Sequence, residues 1–522
     1  MWRRVWKPLA AVAVVGTPPA YFYYRHYVLD NFFELPVKVQ GPDGKPEMVT
    51  KTFRRLPLDV LEARIRQHAT FQSHSRPGGI VWKHTTADLA SNDPIEDAHA
   101  SQIVERDPTD PSYPGDYLFF AVMDGHGGYE TSRLLSRVII KAVALELSHL
   151  TNQPPLAKPG YFGSARALTS QTPLDADPQK VSLAIQHAFT KLDDELLAAP
   201  LHVLANNVDE ESRKKNVIPD LSQHPLALAT MLPAISGSCA LMAVFDTAHR
   251  DLYVACTGDS RAVAGVWETT PDGEGRWRVE VLSEDQTGRN PSELARMQFE
   301  HPKDEENDVI RRGRVLGGLE PSRAFGDARY KWSRKIQETL NQAFLAGNGT
   351  PIRTAPALFK TPPYVIARPV VTHRKLSFPS DESTANPIRF LVLATDGLWD
   401  RLSNDEVVSL VGGHLAGYKG KISEPDLQTL FPTSSGSMGV QGKDKTDKQQ
   451  QGSWAFLDEN VSAHLIRNAF GGGNENYLRN LLSITAPYAR RHRDDVTVTV
   501  VWWEDGKEEA ARVVTEKVKS KL

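Results

Sequence analysis

Cysteine is nearly absent from this chain of 522 residues, which has only Cys239 and Cys256. Neither stands in CxxC spacing or beside a histidine, so a zinc site is excluded, and two thiols cannot build a disulfide scaffold. Both lie in apolar, strand-like runs and read as small buried core residues; a hairpin turning at Asp246 to Asp251 would bring them near each other, but no bridge is expected. A basic excess is missing too. Lys and Arg number 61 against 64 Asp and Glu, giving a net charge of -3, and without a long basic run there is no electrostatic footprint for nucleic acid. No 12-residue loop has the acid alternation of an EF-hand, and no internal repeat marks a solenoid.

Long apolar runs are scarce as well. One, Pro8 to Tyr24, is at the lower edge of bilayer-spanning length and is broken by Pro18 and Pro19. Arg3, Arg4, Lys7 and Arg25 surround it with no acid before Asp30. Residues 1–30 therefore read as a mitochondrial targeting segment with potential inner-membrane contact, a secretory signal or plain anchor being the alternative. The ending Ser520-Lys521-Leu522 is one that a peroxisomal import receptor reads, so the tail, 506–522, adds a second address and the expectation of dual targeting.

What remains is ordinary globular composition, 40% hydrophobic and 24% charged, ample for a sizeable core. Residues 31–77 read as a lead-in with a short amphipathic helix at 58–69. YLFFAVMD is a buried strand, and helices follow at TSRLLSRVIIKAVALEL and 181–197. SCALMAVFD, DLYVACTGD and RAVAGVW read as an antiparallel meander, with RWRVEVLSED as a fourth strand. RFLVLATD and DDVTVTVVWW are further strands, and helices are expected at DEVVSLVGG, ENVSAHLIRNAF and NYLRNLLSIT. Antiparallel strands in runs, with helices before and after them, predict an α+β layered fold. The expected organisation is one domain over 78–505, carrying insertions at 150–180, 200–235 and a polar, mobile 418–455.

Several of these strands meet aspartates. Asp124 ends FFAVMD, Asp259 follows DLYVACTG, Asp396 and Asp400 follow RFLVLAT, and Asp494 and Asp495 open DDVTVTVV; Glu96 and Asp97 in LASNDPIEDAH make a fifth cluster. Ionised carboxylates at the ends of buried strands are costly to desolvate unless a cation meets them. Oxygen-only donors without a His or Cys cluster select hard ions, magnesium or manganese. A two-carboxylate glycosidase would leave most of these acids unexplained.

NDPIEDAH, VMDGHGG, SGSCALMAVF, TGDSRAV, PSRAFGDARYKW, VLATDGLWD and RDDVTVTVV, in this order, resemble the metal-dependent protein serine/threonine phosphatases of type 2C. The resemblance runs from about 78 to 503. Within that family, NDPIEDAH and GGLEPSRAFGDARYKW resemble most the pyruvate dehydrogenase phosphatase branch, in a fungal-like form.

The resemblance implies two antiparallel β-sheets in a sandwich flanked by helices, with a dinuclear metal cleft at one edge. It implies two Mn2+ or Mg2+ ions per site, with a weaker third, activating a water that hydrolyses phosphoserine or phosphothreonine. Asp124 would bridge the two ions, and Asp396, Asp494, Asp97 and the carbonyl of Gly125 would complete the set. Glu96 would hold metal-bound water, and Asp259 and Asp400 match third-metal positions. Asp495 stands where asparagine is common. His126 is the expected general acid. Arg323 and Asp327 would buttress the site as an ion pair, inside a substrate-facing flap at 288–332. Asn92 stands where many members have a phosphate-clamping arginine and would contact the phosphate as a weaker amide. The expected partner is a phosphoprotein, first the pyruvate dehydrogenase complex. The alternatives are another mitochondrial or peroxisomal phosphoprotein, or a non-catalytic pseudophosphatase scaffold, which would need lost metal ligands.

Overall fold

A computed structural model describes Tyr21 and residues 31–506, apart from 77–78, 111, 152–172, 216, 270–272, 274, 350–352, 379–386 and 436–451. The expected targeting segment, the SKL ending and most of the 150–180 insertion lie outside the described residues. Among those described, no helix is long and apolar enough to cross a membrane.

The chain opens with a hairpin, β1 (Phe32–Gln40) and β2 (Pro46–Arg54), then helix α1 (Leu58–Arg66), β3 (Thr70–Arg76), β4 (Ile80–Leu89), β5 (Ala98–Glu105) and β6 (Asp116–Met123). Two long helices follow, α2 (Glu130–Thr151) and α3 (Pro178–Asn207), then the shorter α4 (Ala227–Ile235). Strands β7 (Ala240–Asp246), β8 (Asp251–Thr257), β9 (Arg261–Thr269) and β10 (Gly275–Val281) lead to α5 (Pro291–Glu300). The last third holds β11 (Val370–Lys375), β12 (Ile388–Ala394), α6 (Asn404–Leu415), β13 (Thr433–Ser435), α7 (Val461–Ala469), α8 (Glu475–Ser483) and β14 (Val496–Asp505).

Strands β11-β8-β7-β6-β5 form one sheet and β13-β10-β9-β12-β14-β4-β3 the other. Apart from the short parallel strand β13, every pairing in the two sheets is antiparallel. Side chains alternate between faces, and in β6 both faces are apolar. Leu118, Phe120 and Val122 enter the layer between the sheets, where they join Trp82, Phe245, Leu391 and Trp503. Phe119, Ala121 and Met123 point outward under α2 and α3, against Leu135, Ile139, Ile185 and Phe189. The outer face of the second sheet is covered in the same way by α6, α7 and α8, through Val407, Val411, Leu465 and Leu482. The expected α+β sandwich is the observed one.

Four expectations need correcting. The meander splits: β7 and β8 pair in one sheet, while β9 crosses to the other and pairs with β10 and β12. β7, β8 and the first part of β9 are buried on both faces, so the local pattern does not say which sheet each joins. The lead-in is not separate, because β3 is the edge strand of the larger sheet and Val37, Phe53, Leu61 and Ile65 are buried in its outer core. The 200–235 insertion begins inside α3, which runs on to Asn207. The 418–455 segment is partly built, with a strand pairing Gly420–Ser423 to Ser453–Phe456, a helix at Glu424–Leu430, and Ile422 and Leu427 buried.

The two cysteines are buried and free. Cys256 lies opposite Leu241 in the hairpin and faces the layer between the sheets. The Cys239 thiol instead donates to Asp259 Oδ1 at 3.2 Å.

Candidate metal centre and phosphate cleft

Strand register collects the acids. Ala98 pairs with Met123, Leu89 with Val496, and Arg261 with Ala394. The turn carrying Glu96 and Asp97, the end of β6 at Asp124, the β8–β9 crossing at Asp259, the end of β12 before Asp396 and the start of β14 after Asp495 therefore share one edge of the sandwich.

At that edge Asp124, Asp259 and Asp396 each present a carboxylate oxygen, all within 4.8 Å of one another. Three such charges repel strongly, and an all-oxygen donor set suits a hard divalent cation. Asp396 is the first residue of a short helix, and its N–H points at Asp124 Oδ2 from 3.5 Å. Asp97 is buried close by and accepts from Thr395 Oγ1 at 2.9 Å. Burial first, then the charges of Asp495 and Asp396, push its carboxyl well above the usual carboxylate range despite that hydrogen bond. Such a group is poised to ionise when a cation is near. Asp259, expected at a third metal, thus stands in the tight group, while Asp494 stands outside it, ion-paired with Arg490.

Close backbone approach explains the glycine after Asp124. A Cβ on Gly125 would lie 2.0 Å from the Glu96 carbonyl oxygen and 2.9 Å from Ser132 Oγ. Ser132 Oγ donates to that same carbonyl at 2.5 Å, and Gly128 N–H donates to Glu96 Oε1 at 2.7 Å, so the two acidic turns are locked together. Burial raises the Glu96 pKa, aided by Asp495 and opposed by Gly128, Arg490 and His126.

Asp495 is the pin beneath them. Buried, it accepts from Ser91 N at 2.5 Å, Asn92 N at 2.9 Å, Asn92 Nδ2 at 3.0 Å and Glu96 N at 2.8 Å. Asn92 Nδ2 also donates to Glu96 Oε2 at 3.1 Å. Both amide hydrogens are thereby spent on carboxylates, which corrects the expectation that Asn92 offers them to a phosphate.

His126 Nε2 lies 2.7 Å from Asp327 Oδ2. Burial disfavours the imidazolium, but Asp327, with smaller help from Asp259 and Glu96, outweighs it and the pKa is raised. Asp327 holds a left-handed backbone at φ 51°, an uncommon state for a residue with a side chain and typical of functional positions. Its N–H donates to Ser236 O at 2.9 Å. The neighbouring Gly237 leaves room for the pair, since a Cβ there would meet His126 Nε2 at 2.1 Å.

The expected Arg323–Asp327 ion pair is replaced by two separate ones. Asp327 serves His126, and Arg323 forks onto Glu293 of α5, with Nη2 at 2.6 Å from Oε1. Arg323 Nη1 also donates to Arg368 O at 2.7 Å. Burial would raise the Glu293 pKa, but Arg323 and Arg296 hold it down at about 2. This pair secures the 288–332 segment behind Asp327.

Beside the acids opens a cavity of about 680 Å³. Gly397, Asp400, Arg490 and Asp494 line it together with Phe33, Leu35 and Tyr477. Asp400, expected near a third metal, thus faces this cleft. Sequence reasoning missed Glu293, Asp495's anchoring role and Arg490; only the last left a local sign, a base four residues before Asp494 in ARRHRDD.

An antiparallel sandwich flanked by helices and closing on a carboxylate cluster is the frame of a metal-dependent phosphatase. Residues 92–427 match the family model Protein phosphatase 2C, and the chain belongs to that family, as a metal-dependent protein serine/threonine phosphatase. It is 36% identical over 449 residues to a protein phosphatase 2C homolog of Schizosaccharomyces pombe, covering 86% of this chain and 85% of that one. It is 36% identical over 463 residues to the mitochondrial [pyruvate dehydrogenase [acetyl-transferring]]-phosphatase 1 of Saccharomyces cerevisiae, covering 85% of this chain and 72% of the relative. The human mitochondrial phosphatase 2 of the same name is 31% identical over 483 residues, covering 85% and 82%.

Proposed function

We propose that this phosphatase removes phosphate from the pyruvate dehydrogenase complex in mitochondria. The observation that carries this reading is the 36% identity to the yeast pyruvate dehydrogenase phosphatase across 85% of the chain. The basic, acid-free first 29 residues support the compartment. A peroxisomal pool addressed through Ser520-Lys521-Leu522 and an inner-membrane contact through residues 8–24 are separate proposals, which imaging of end-blocked chains would test.

Two divalent ions, Mn2+ or Mg2+, fit the donor set: Asp124, Asp259 and Asp396 would hold them, with Asp97, Asp494 and the Gly125 carbonyl as further oxygen donors. When bound, such ions supply positive charge for the phosphoryl oxygens and lower the pKa of water. The chain does the rest. His126, whose imidazolium Asp327 favours, gives its proton to the serine oxygen as the phosphorus–oxygen bond breaks, so that water and phosphoserine become serine and inorganic phosphate. Glu96, held by Gly128 N–H, and Asp495, through its four donors, fix the loop that faces this reaction.

The test is phosphate release from phosphorylated pyruvate dehydrogenase complex with Mn2+, compared with EDTA and with an unrelated phosphoserine peptide. Preferential release from the complex supports the reading. Turnover of the peptide without turnover of the complex refutes the substrate while leaving the chemistry intact.

A further inference from the structure

A forked cationic donor would add orientation to the charge that bound ions supply to a phosphoryl group, and Asn92, with both amide hydrogens on Glu96 and Asp495, is not such a donor. Other arginines nearby are committed elsewhere. Arg493 is buried and donates to the carbonyls of Leu481 at 2.7 Å, Ile484 at 3.0 Å and Ala90 at 3.2 Å. Arg401 also lines the cavity, but its guanidinium lies over the Phe470 ring at 5.9 Å and donates to the His492 carbonyl, and Arg323 is locked on Glu293.

Arg490 is different. Its side chain is 45% exposed, it lines the cavity together with Gly397, Asp400 and Asp494, and Nη1 is ion-paired with Asp494. Its charge also acts on Glu96, where it opposes the rise that burial causes. A guanidinium carries five N–H donors in a rigid fork, so one bond to Asp494 leaves donors to face a phosphate.

We propose that Arg490 is the phosphate-binding arginine of this enzyme, reaching the substrate phosphoryl group from the β14 side of the cleft and taking the place of a cation at position 92. The inference rests on the phosphatase reading above and names one contact within that site. In this arrangement Asp494 positions the guanidinium, and the fork holds two phosphoryl oxygens while His126 protonates the leaving oxygen. Arg491, which lines the same cavity, serves as the internal control.

The experiment titrates inorganic phosphate into the Mn2+-loaded full-length protein by calorimetry and measures KM for a phosphoserine peptide, in wild type, Arg490→Gln, Arg490→Lys and Arg491→Gln. Loss of a charge-assisted pair should weaken phosphate binding and raise KM by roughly tenfold to a hundredfold in Arg490→Gln. Arg490→Lys should recover part of that loss, Arg491→Gln should stay within about threefold, and Mn2+ affinity should hold in all three. Unchanged phosphate affinity in Arg490→Gln overturns the proposal. So does an equal loss in Arg491→Gln, or a loss of phosphate binding that follows a parallel loss of Mn2+ affinity, which would make Arg490 a prop for Asp494. If the wild type turned over no phosphopeptide, the functional reading would fall, and calorimetric phosphate binding would still decide the role of Arg490.

Discussion

Replacing Gly125 by alanine adds one methyl group at the tightest point of the site. The new Cβ would stand 2.0 Å from the Glu96 carbonyl oxygen, 2.8 Å from its carbon and 2.9 Å from Ser132 Oγ, against an ordinary contact of 3.4–4 Å. The Glu96 side cannot retreat easily: its N–H is held by Asp495 at 2.8 Å and its carbonyl by Ser132 at 2.5 Å. The turn carrying Asp124 must therefore move, by about 1 Å or more. Overpacking of this kind costs roughly 1–3 kcal/mol of stability. A displacement of about 1 Å in a reacting constellation costs on the order of a hundredfold in rate. Because Asp124 shares its cluster with Asp259 and Asp396, Mn2+ affinity should fall as well. Urea denaturation, Mn2+ half-saturation and kcat on a phosphoserine peptide together measure all three. A Gly125→Ala enzyme with wild-type stability, metal affinity and turnover would refute the claim that this close approach sets the position of Asp124.

Two further outcomes are expected. Asp327→Asn keeps a hydrogen-bonding group but removes the charge that raises the His126 pKa against burial. The alkaline limb of kcat should move to lower pH, because the proton donor is lost as pH rises through its pKa, and kcat should fall by about a hundredfold; an unmoved limb would remove His126 as the acid. Glu293 has the opposite sign. Its folded pKa is depressed from an ordinary 4.5 to about 2, so it stabilises the fold above pH 4.5 and this contribution is lost as pH falls to about 2. The side chain is only 5% exposed, and the shift corresponds to about 3 kcal/mol. In urea titrations the gap between wild type and Glu293→Gln should be at least that large at pH 7 and should narrow between pH 4.5 and 2. A gap independent of pH would contradict the pairing.

Much of this was readable in one dimension. β6 and β14 announce themselves as apolar runs ending or opening at aspartates, and α2 by its helical spacing, because those signals are local. The ordered set of acidic turns carried the chemistry in the same way. Partner choice was not local. Arg323 looked toward Asp327, four residues on, but found Glu293 thirty residues back, because α5 places that carboxylate beneath it. Asp495 was read only as standing where asparagine is common, since nothing near it in the chain shows that its oxygens receive the backbone N–H groups of Ser91, Asn92 and Glu96. Asn92 was read as an amide in the place of a phosphate-clamping arginine, whereas its side chain donates to two acids, Glu96 and Asp495. Arg490 was overlooked because its segment was read for the acids and the strand that follow it.

Under the function proposed above, the Asp124, Asp259 and Asp396 cluster holds the divalent cations on which protein dephosphorylation depends. The most direct measurement follows phosphate release from a phosphoserine protein alongside Mn2+ binding by calorimetry, in wild type and Asp124→Asn. The expected result is Mn2+ binding and turnover in the wild type, turnover abolished by EDTA and restored by Mn2+, and both binding and turnover lost in an Asp124→Asn protein that still melts cooperatively. Turnover that persists in EDTA, or an Asp124→Asn protein that binds Mn2+ and releases phosphate like the wild type, would contradict it.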